Sequence, residues 1–391
     1  MKRVAVLGGG PAGAVAAQRL ASAGVDTVVI DEKLAWEKPC GGGVTYKAYS
    51  RYPFLIENDV PKKLVTATRM SAPKAGTAEM RLVHPLVIYS RTDLNGMLLE
   101  RAERAGAQIE KARVSEIARV GDKWRLQTRT GAIEADFCII ATGARNPFRE
   151  VGTRLTAQDS ACALGYFVPA EQEHIDIQFL PNLEGYLWVF PRCGHLSVGI
   201  CGKGESSQSL RQRLQRYMDE RGIPWKDGVF YGHVLPLLEW SAWRRNRVAG
   251  EGWLAVGDAA GLVDPITGEG IYYAIRSGDL AAQALVASAN PQSQAAHAYR
   301  QALIMDFWRD LEFAASFARR VFLGRFMFER VPARMVQFAR RSPRFQILLQ
   351  DLFAGTQNYL TLKNRLLRSL NGTLQELILG FFLNRILPGE N

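Results

Sequence analysis

The sequence predicts an α/β fold with an inserted antiparallel sheet and a helical C-terminal region, and three observations predict it. Residues 4–31 run from a short β-branched stretch through Gly8-x-Gly10-x-x-Gly13 and an Ala-rich segment to a second apolar stretch ending in Asp31. That is the order strand, tight turn, helix, strand. Residues 157–247 change to longer alternating stretches, the pattern of an antiparallel sheet with one wet face. Residues 291–391 space many large apolar side chains three to five apart, as on buried helix faces. The organisation expected is discontinuous: residues 1–60, 91–156 and 248–290 make a Rossmann-like unit, 61–90 and 157–247 a substrate-facing unit, and 291–391 the helical region.

The glycines of the first turn have separate physical tasks. Gly8 permits the tight turn, Gly10 lets backbone approach a pyrophosphate, and Gly13 lets the helix pack close to the strand. Pro11 and Ala12 sit in the first helical turn, whose free N–H groups favour phosphate. Asp31, eighteen residues after Gly13 and followed by Glu32, is spaced to accept from a ribose hydroxyl. Three glycines alone mark any turn; the strand before, the helix after and the acid beyond make this a dinucleotide site.

With 391 residues the chain can form two or three domains with sizeable cores, and 47% hydrophobic against 22% charged residues excludes a disordered or fibrous protein. The net charge of +11 is concentrated late, because residues 300–391 carry fourteen Lys and Arg against seven Asp and Glu. No block of five like charges occurs, and a nucleic-acid partner is not expected. Cys40, Cys138, Cys162, Cys193 and Cys201 are scattered without a C-x-x-C spacing, which speaks against a disulfide framework or a zinc site and for a reducing, cytoplasmic setting. Five dispersed histidines offer a metal few ligands, so none is expected. Met1-Lys2-Arg3 imitates the start of a signal peptide, yet the glycines fall where a nucleotide turn needs them. No run approaches the roughly eighteen apolar residues of a membrane span. Peripheral contact with a membrane surface stays open.

Further along, Lys38-Pro-Cys40-Gly41-Gly42-Gly43 is either a mobile connector or backbone stripped of side chains so that it can lie against something flat, with the Cys40 thiol at its edge. Residues 64–71 and 79–90 read as strands of a separate sheet. Arg91 opens a helix over 94–105 and is either a solvated charge or a phosphate contact. Four strand-like runs follow, at 108–110, 113–120, 124–130 and 133–140, with a hairpin at Gly121-Asp122. The last ends in Ala141-Thr142-Gly143, a turn of small residues against which a cofactor can pack.

Tyr186-Leu187-Trp188-Val189-Phe190-Pro191 alternates so that the three aromatic rings share one strand face and Leu187 and Val189 the other. Two readings stand side by side: a strand buried on both faces, and the wall of a pocket for a large apolar ligand. Residues 211–221 read as a surface helix. A second anchor, Gly257-Asp258 at a strand end, is followed by Asp264-Pro-Ile-Thr-Gly268-Glu269-Gly270-Ile271 and an Ala-rich helix to about residue 288. Asp258 can accept from a sugar-like hydroxyl. The positive end of the helix beginning near Gly270 suits an anionic group over the loop, such as the N1 and C2 oxygen region of a reduced flavin. In residues 291–391, Phe307, Trp308, Phe313, Phe317, Phe322, Phe326 and Phe328 interleave with arginines at helical spacing, which favours core packing over nucleic-acid binding. Residues 374–387 are amphipathic enough for a bilayer interface.

Taken together, Gly8-x-Gly10-x-x-Gly13 with Asp31, Arg91, Ala141-Thr-Gly143 and Gly257-Asp258 resemble the FAD-dependent enzymes of the p-hydroxybenzoate hydroxylase fold. Within them, Lys38-Pro-Cys-Gly-Gly-Gly, Tyr186-x-Trp188-x-Phe190-Pro191 and Pro265-Ile-Thr-Gly-Glu-Gly270 resemble the geranylgeranyl reductase family over residues 1–290. The resemblance implies FAD, reduced by an external donor, delivering hydride to a double bond of a long isoprenoid lipid. It implies Gly8, Gly10, Pro11, Ala12, Gly13, Asp31 and Glu32 at the adenosine and pyrophosphate half, and Arg91, Gly143, Gly257 and Asp258 along the rest of the cofactor. Gly268, Glu269, Gly270 and Ile271 would meet the flavin ring. Cys40, Gly41 and Gly42 would lie beside it with Cys40 in a catalytic position, and Tyr186, Trp188, Phe190 and Pro191 would line the prenyl pocket. Thr142-Gly143 replaces the Asp-Gly that many hydroxylases of this fold carry, and no second Gly-x-Gly-x-x-Gly is present, so the donor is open between NADPH, ferredoxin and another small reductant. The alternatives are a flavin monooxygenase or halogenase, and a flavoprotein that only carries electrons or binds lipid.

Overall fold

The computed structural model describes residues 3–148, 150–326 and 328–368. β1 (Arg3–Leu7), α1 (Pro11–Ser22) and β2 (Asp26–Ile30) form the expected opening. A loop leads to β3 (Gly43–Val44) and α2 (Tyr46–Arg51), and then β4 (Lys63–Ala72) and β5 (Gly76–Ile88) pair antiparallel. α3 (Arg91–Arg104) returns the chain to the first sheet at β6 (Gln108–Glu110), which lies parallel to β2. Arg91 itself is the first helical residue, three earlier than the apolar spacing predicts.

The run over 133–140 is not one strand. β7 (Glu116–Val120), β8 (Lys123–Thr128) and β9 (Gly131–Ala135) form a three-stranded meander, with the predicted turn at Gly121-Asp122, and β10 (Phe137–Ile140) belongs to the main sheet. The break falls at Asp136, whose carboxylate accepts the Arg3 N–H at 2.8 Å and turns the chain from one sheet to the other.

β11 (Ser160–Val168), β12 (His174–Gln178), β13 (Glu184–Arg192) and β14 (His195–Lys203) precede α4 (Ser207–Arg221), β15 (Val229–Pro236) and α5 (Trp240–Arg245). β16 (Ala249–Gly250) and β17 (Trp253–Ala255) complete the first sheet, in the order β16-β17-β10-β1-β2-β6. The second sheet runs β15-β11-β14-β13-β12-β4-β5-β3. One expectation for it needs correction, that of a wet face. The strands within 157–247 pair antiparallel as expected, but β12 joins β4 in parallel, and the central strands have no wet face. α4 covers one face with Leu210, Leu214 and Met218, each of which contributes about 1.5–3 kcal/mol by burial, and the other face lines a cavity.

α6 (Ile271–Ala287) packs its buried face on α1, and α7 (Pro291–Leu303) follows it on the same core. α8 (Arg309–Ala315), α9 (Ala318–Leu323), α10 (Val331–Arg341), α11 (Pro343–Ala354) and α12 (Tyr359–Arg368) then wrap toward the second sheet. The helices are not strictly consecutive, because Arg325–Phe326 and Glu329–Arg330 pair as a short hairpin. Phe307, Trp308, Phe317 and Phe322 are buried, as their spacing predicts, whereas Phe328 is fully exposed. Residues 374–387 lie outside the described residues. Among the described residues no helix is long and apolar enough to cross a membrane.

Candidate functional site

The turn after β1 is shaped by what cannot fit there. A Cβ on Gly13 would stand 2.0 Å from the Gly8 carbonyl oxygen, and one on Gly8, at φ +114°, would stand 2.3 Å from that of Ala141. Around Gly10 the space is open, and among the described residues no side chain caps α1. Gly143 at the end of β10 also faces open space. Asp31 turns out to be busy within the chain: Oδ2 accepts from Gly9 N–H at 2.7 Å, and Oδ1 from Lys33 and Leu34 at 2.7 and 2.9 Å. Its carboxylate therefore fixes the turn, and a ribose hydroxyl would share an oxygen already in use. Glu32 is exposed, with Arg113 at 3.8 Å. Arg91 is not a solvated charge. It is 3% exposed, donates to Asn95 Oδ1 at 3.2 Å, and leaves Nε buried without a partner among the described residues.

The glycine-rich loop is packed backbone rather than a free connector. Added Cβ atoms on Gly41 and Gly43 would meet the Phe190 ring at 3.3 and 3.1 Å, and one on Gly42, at φ +86°, would meet the Tyr89 carbonyl at 2.1 Å. The flat surface demanding those glycines is thus Phe190 of the chain itself. Arg192, two residues beyond Phe190 and 1% exposed, holds the loop by donating to the carbonyls of Cys40 and Gly41, and it pairs with Glu37. Ser197 adds a second donor to the Cys40 carbonyl at 3.0 Å. Glu37 also accepts the first N–H groups of α3, Arg91 at 3.0 Å and Thr92 at 3.2 Å. Burial would raise the Glu37 carboxyl, but the Arg192 charge and these N–H groups outweigh it and leave it below the usual range.

Beyond the loop lies a cavity of about 430 Å³. Tyr186, Trp188 and Phe190 line it from β13, while Leu187 and Val189 enter the core beneath α4. Pro191 is buried behind the wall. Phe317, Phe322, Phe345, Leu349 and Phe353 close the far side, which makes the C-terminal helices part of the site. Cys40 lines the cavity, and its Sγ accepts the Gly42 N–H at 3.2 Å.

The 264–271 loop forms the opposite edge, and Asp258 lies beside it, its Oδ1 3.6 Å from where a Cβ on Gly270 would stand. Burial would raise Asp258, yet Lys38 at 2.8 Å and neighbouring His233 hold it well below the ordinary carboxylate range. Asp264 Oδ1 accepts from Ile266 and Thr267, and both its oxygens accept from Tyr359, at 3.0 and 2.9 Å, which ties the loop to α12. Gly268, Glu269, Gly270 and Ile271 all line the cavity. Glu269 accepts the Tyr272 N–H at 2.7 Å, so one of the free α6 donors expected above the loop is already taken. Burial, with the Asp264 charge, pushes the Glu269 carboxyl up to about 7 against the pull of helix N–H groups and Lys47.

These residues fit FAD. The open space at Gly10 and the buried Nε of Arg91, unpartnered among the described residues, suit the pyrophosphate half, and Cys40 and the Gly268–Gly270 backbone, with Asp258 beside Gly270, suit a ribityl chain and flavin ring. Sequence reasoning missed Arg192, Glu37, Lys38 and the cavity lining from the C-terminal helices. A signal existed for two of them: Arg192 ends the aromatic strand, and Lys38 opens the Pro-Cys-Gly motif.

Residues 2–158 match the family of pyridine nucleotide-disulphide oxidoreductases. The chain is 30% identical over 323 residues to a chloroplastic geranylgeranyl diphosphate reductase of Oryza sativa subsp. japonica, across 74% of this chain and 67% of that protein. A solved geranylgeranyl bacteriochlorophyll reductase-like protein of Thermoplasma acidophilum shares the fold at TM-score 0.73 and 22% identity, covering 95% of this chain and all of that one. A flavin-dependent brominase also shares it, at TM-score 0.67 and 17% identity, over 92% and 97% of the two chains.

Proposed function

This chain belongs to the geranylgeranyl reductase family of FAD-dependent oxidoreductases, and we propose that it saturates carbon–carbon double bonds of an isoprenoid chain. The observation that carries this reading is the long apolar cavity that begins at the Cys40 and Gly268–Gly270 loops and continues between β13 and the C-terminal helices. Bound and reduced, FAD supplies hydride at N5. The chain's own residues do the rest. The α1 N-terminus, Gly10 and Arg91 hold the anionic half of the cofactor, and Asp258, kept ionised by Lys38, accepts from its hydroxyls. Tyr186, Trp188 and Phe190 orient a prenyl chain along one wall, and Phe317, Phe322 and Phe353 exclude water from the other. Cys40 stands where cofactor loop and cavity meet and shapes the approach of the double bond. The electron donor is external, of the NADPH, ferredoxin or small-reductant kind.

The fold is shared with a brominase, so fold does not decide between reducing a substrate and activating oxygen. The test is anaerobic. The purified holoenzyme is reduced chemically and mixed with a geranylgeranyl lipid or diphosphate, and flavin reoxidation and substrate mass are followed together. Reoxidation with a product heavier by two hydrogens per turnover supports the reading. A flavin that stays reduced until oxygen is admitted, across several prenyl substrates, ends it in favour of oxygenation or halogenation. Lipid binding with neither reaction points to a carrier.

A further inference from the structure

Hydride alone does not saturate a prenyl double bond. An isolated trisubstituted alkene is electron-rich and takes hydride only as positive charge develops on its more substituted carbon, so a proton must arrive first or together with it. The site needs an acid that is protonated at neutral pH yet strong enough to donate.

The groups lining the cavity can be sorted on that basis. Tyr186, Tyr273 and Tyr359 are made weaker acids by burial, each pushed well above the ordinary phenol range, and burial pushes the Cys201 thiol up to about 11. Asp264 is committed as an acceptor, holding two loop N–H groups and the Tyr359 hydroxyl. The Cys40 sulfur lines the cavity at the glycine-rich loop and accepts the Gly42 N–H at 3.2 Å. His233 lies beside Asp258, at 4.0 Å, and burial lowers its pKa, which favours the neutral ring. Lys47, lodged over the Tyr272 and Tyr273 rings at 4.7 and 5.3 Å, has its pKa lowered by burial and faces Asp264, Asp306, Asp310 and Glu269. Glu269 differs from all of these. Its side chain is half-buried on the cavity wall between Gly268 and Gly270, the backbone expected against the flavin ring, and its Oε1 accepts the Tyr272 N–H.

We propose that Glu269 donates the proton that completes saturation of the prenyl double bond, an inference that rests on the reductase reading above. The Glu269 O–H bond breaks as the alkene π pair forms a C–H bond at the less substituted carbon. The second C–H bond, at the more substituted carbon, would take the hydride pair that bound, reduced FAD would supply, leaving that cofactor two electrons more oxidised. The rings of Tyr186, Trp188 and Phe190 stabilise the positive charge that passes through the substrate. Glu269 is left as a carboxylate, which the adjacent Lys47 steadies until a solvent proton restores it. The same carboxyl, held neutral before the proton leaves, avoids placing a negative charge beside a reduced and anionic cofactor.

The test uses full-length holoenzyme and the variants Glu269→Gln and Glu269→Asp. Expected is a loss of about 100-fold or more in single-turnover reduction for E269Q, the range general acids supply, with FAD and prenyl affinities unchanged and partial recovery in E269D. In FAD-free protein, infrared spectra across the neutral range should show a protonated-carboxyl band in the wild type that is missing from E269Q. Rates within a few-fold of wild type, loss of FAD binding in E269Q, or no such band would each overturn the assignment. A wild type that reduces no prenyl substrate overturns the reductase reading itself, and the proton donor with it; a wild type that reduces and an E269Q that reduces equally well overturns only the donor.

Discussion

Replacing Arg192 with alanine tests how the cofactor side and the substrate side are joined. The Arg192 side chain is fully buried and its partner Glu37 is 29% exposed. Breaking a buried pair by removing one partner costs about 3–5 kcal/mol. Two features reduce that here: Glu37 keeps the N–H groups of Arg91 and Thr92, and the Cys40 carbonyl keeps the Ser197 hydroxyl. The expected loss is therefore about 2–3 kcal/mol, because fewer groups are left unsatisfied. Urea unfolding of Arg192→Ala, Glu37→Gln and the double variant measures both the loss and the coupling. The pH dependence has a fixed sign. The Glu37 carboxyl is lower in the folded chain than its free value of 4.5, so its stabilisation is complete above about pH 4.5 and lost as pH falls through the folded value. In Arg192→Ala burial is left with less opposing it, and that acid-side loss should shrink. A destabilisation under about 0.5 kcal/mol, or additive single changes, would refute the staple.

Three further outcomes follow from individual contacts. Gly199→Ala places a methyl group 2.2 Å from the Trp188 ring, so the indole must shift into the cavity; KM for a prenyl substrate should rise while FAD affinity stays unchanged, and equal kinetics would show that the wall has slack. Cys40→Ala should retain FAD, read from the visible spectrum, and slow flavin reoxidation by a few-fold, about the cost of a misplaced substrate rather than of a lost acid; an unchanged rate removes Cys40 from the mechanism. Glu269 holds its proton more tightly folded than its free value of 4.5, so the folded chain binds more protons between about pH 4.5 and 7 and should lose stability as pH rises through that window. A tenfold change in proton affinity is worth about 1.4 kcal/mol, and partial exposure reduces the total to ~2 kcal/mol, which thermal melts of FAD-free Glu269→Gln should show as a flattened profile.

The nucleotide half was legible because its glycines answer to local geometry: the Gly8 and Gly13 contacts are short-range, and the strand-turn-helix order is written in adjacent residues. The aromatic strand was legible as a pattern, since alternation alone puts Tyr186, Trp188 and Phe190 on one face. What escaped was long-range. Arg192 meets Glu37 across 155 residues, Lys38 meets Asp258 across 220, and neither spacing leaves a mark in sequence. The strand break at Asp136 escaped for a different reason, because apolar runs on either side of one acid read as a single period. The hydrogen bonds of Asp31 escaped as well: a carboxylate spaced for a ribose is equally spaced for Gly9 N–H.

The long-range contacts also explain why one fold can carry opposite chemistries. The nucleotide-binding half fixes where a flavin lies and nothing about what meets it, so the outcome depends on the few groups arranged over the cavity mouth. Here Arg192 fixes the Cys40–Gly41 backbone, Glu37 ties that backbone to the α3 N-terminus beside Arg91, and Asp264 ties the opposite loop to α12 through Tyr359. Both edges of the cavity are thus anchored to elements far apart in sequence. This cavity presents aromatic and aliphatic walls, the lining that suits a long apolar chain, broken mainly by the Lys47, Asp264, Glu269 and Tyr359 cluster. In an apolar cavity a neutral carboxylic acid can remain protonated until an alkene is seated, and seating the alkene removes the water that would otherwise take the proton. Filling the cavity with a saturated prenyl analogue should therefore raise the pH at which the Glu269 infrared band disappears; a midpoint that stays put would mean that the substrate does not desolvate this acid.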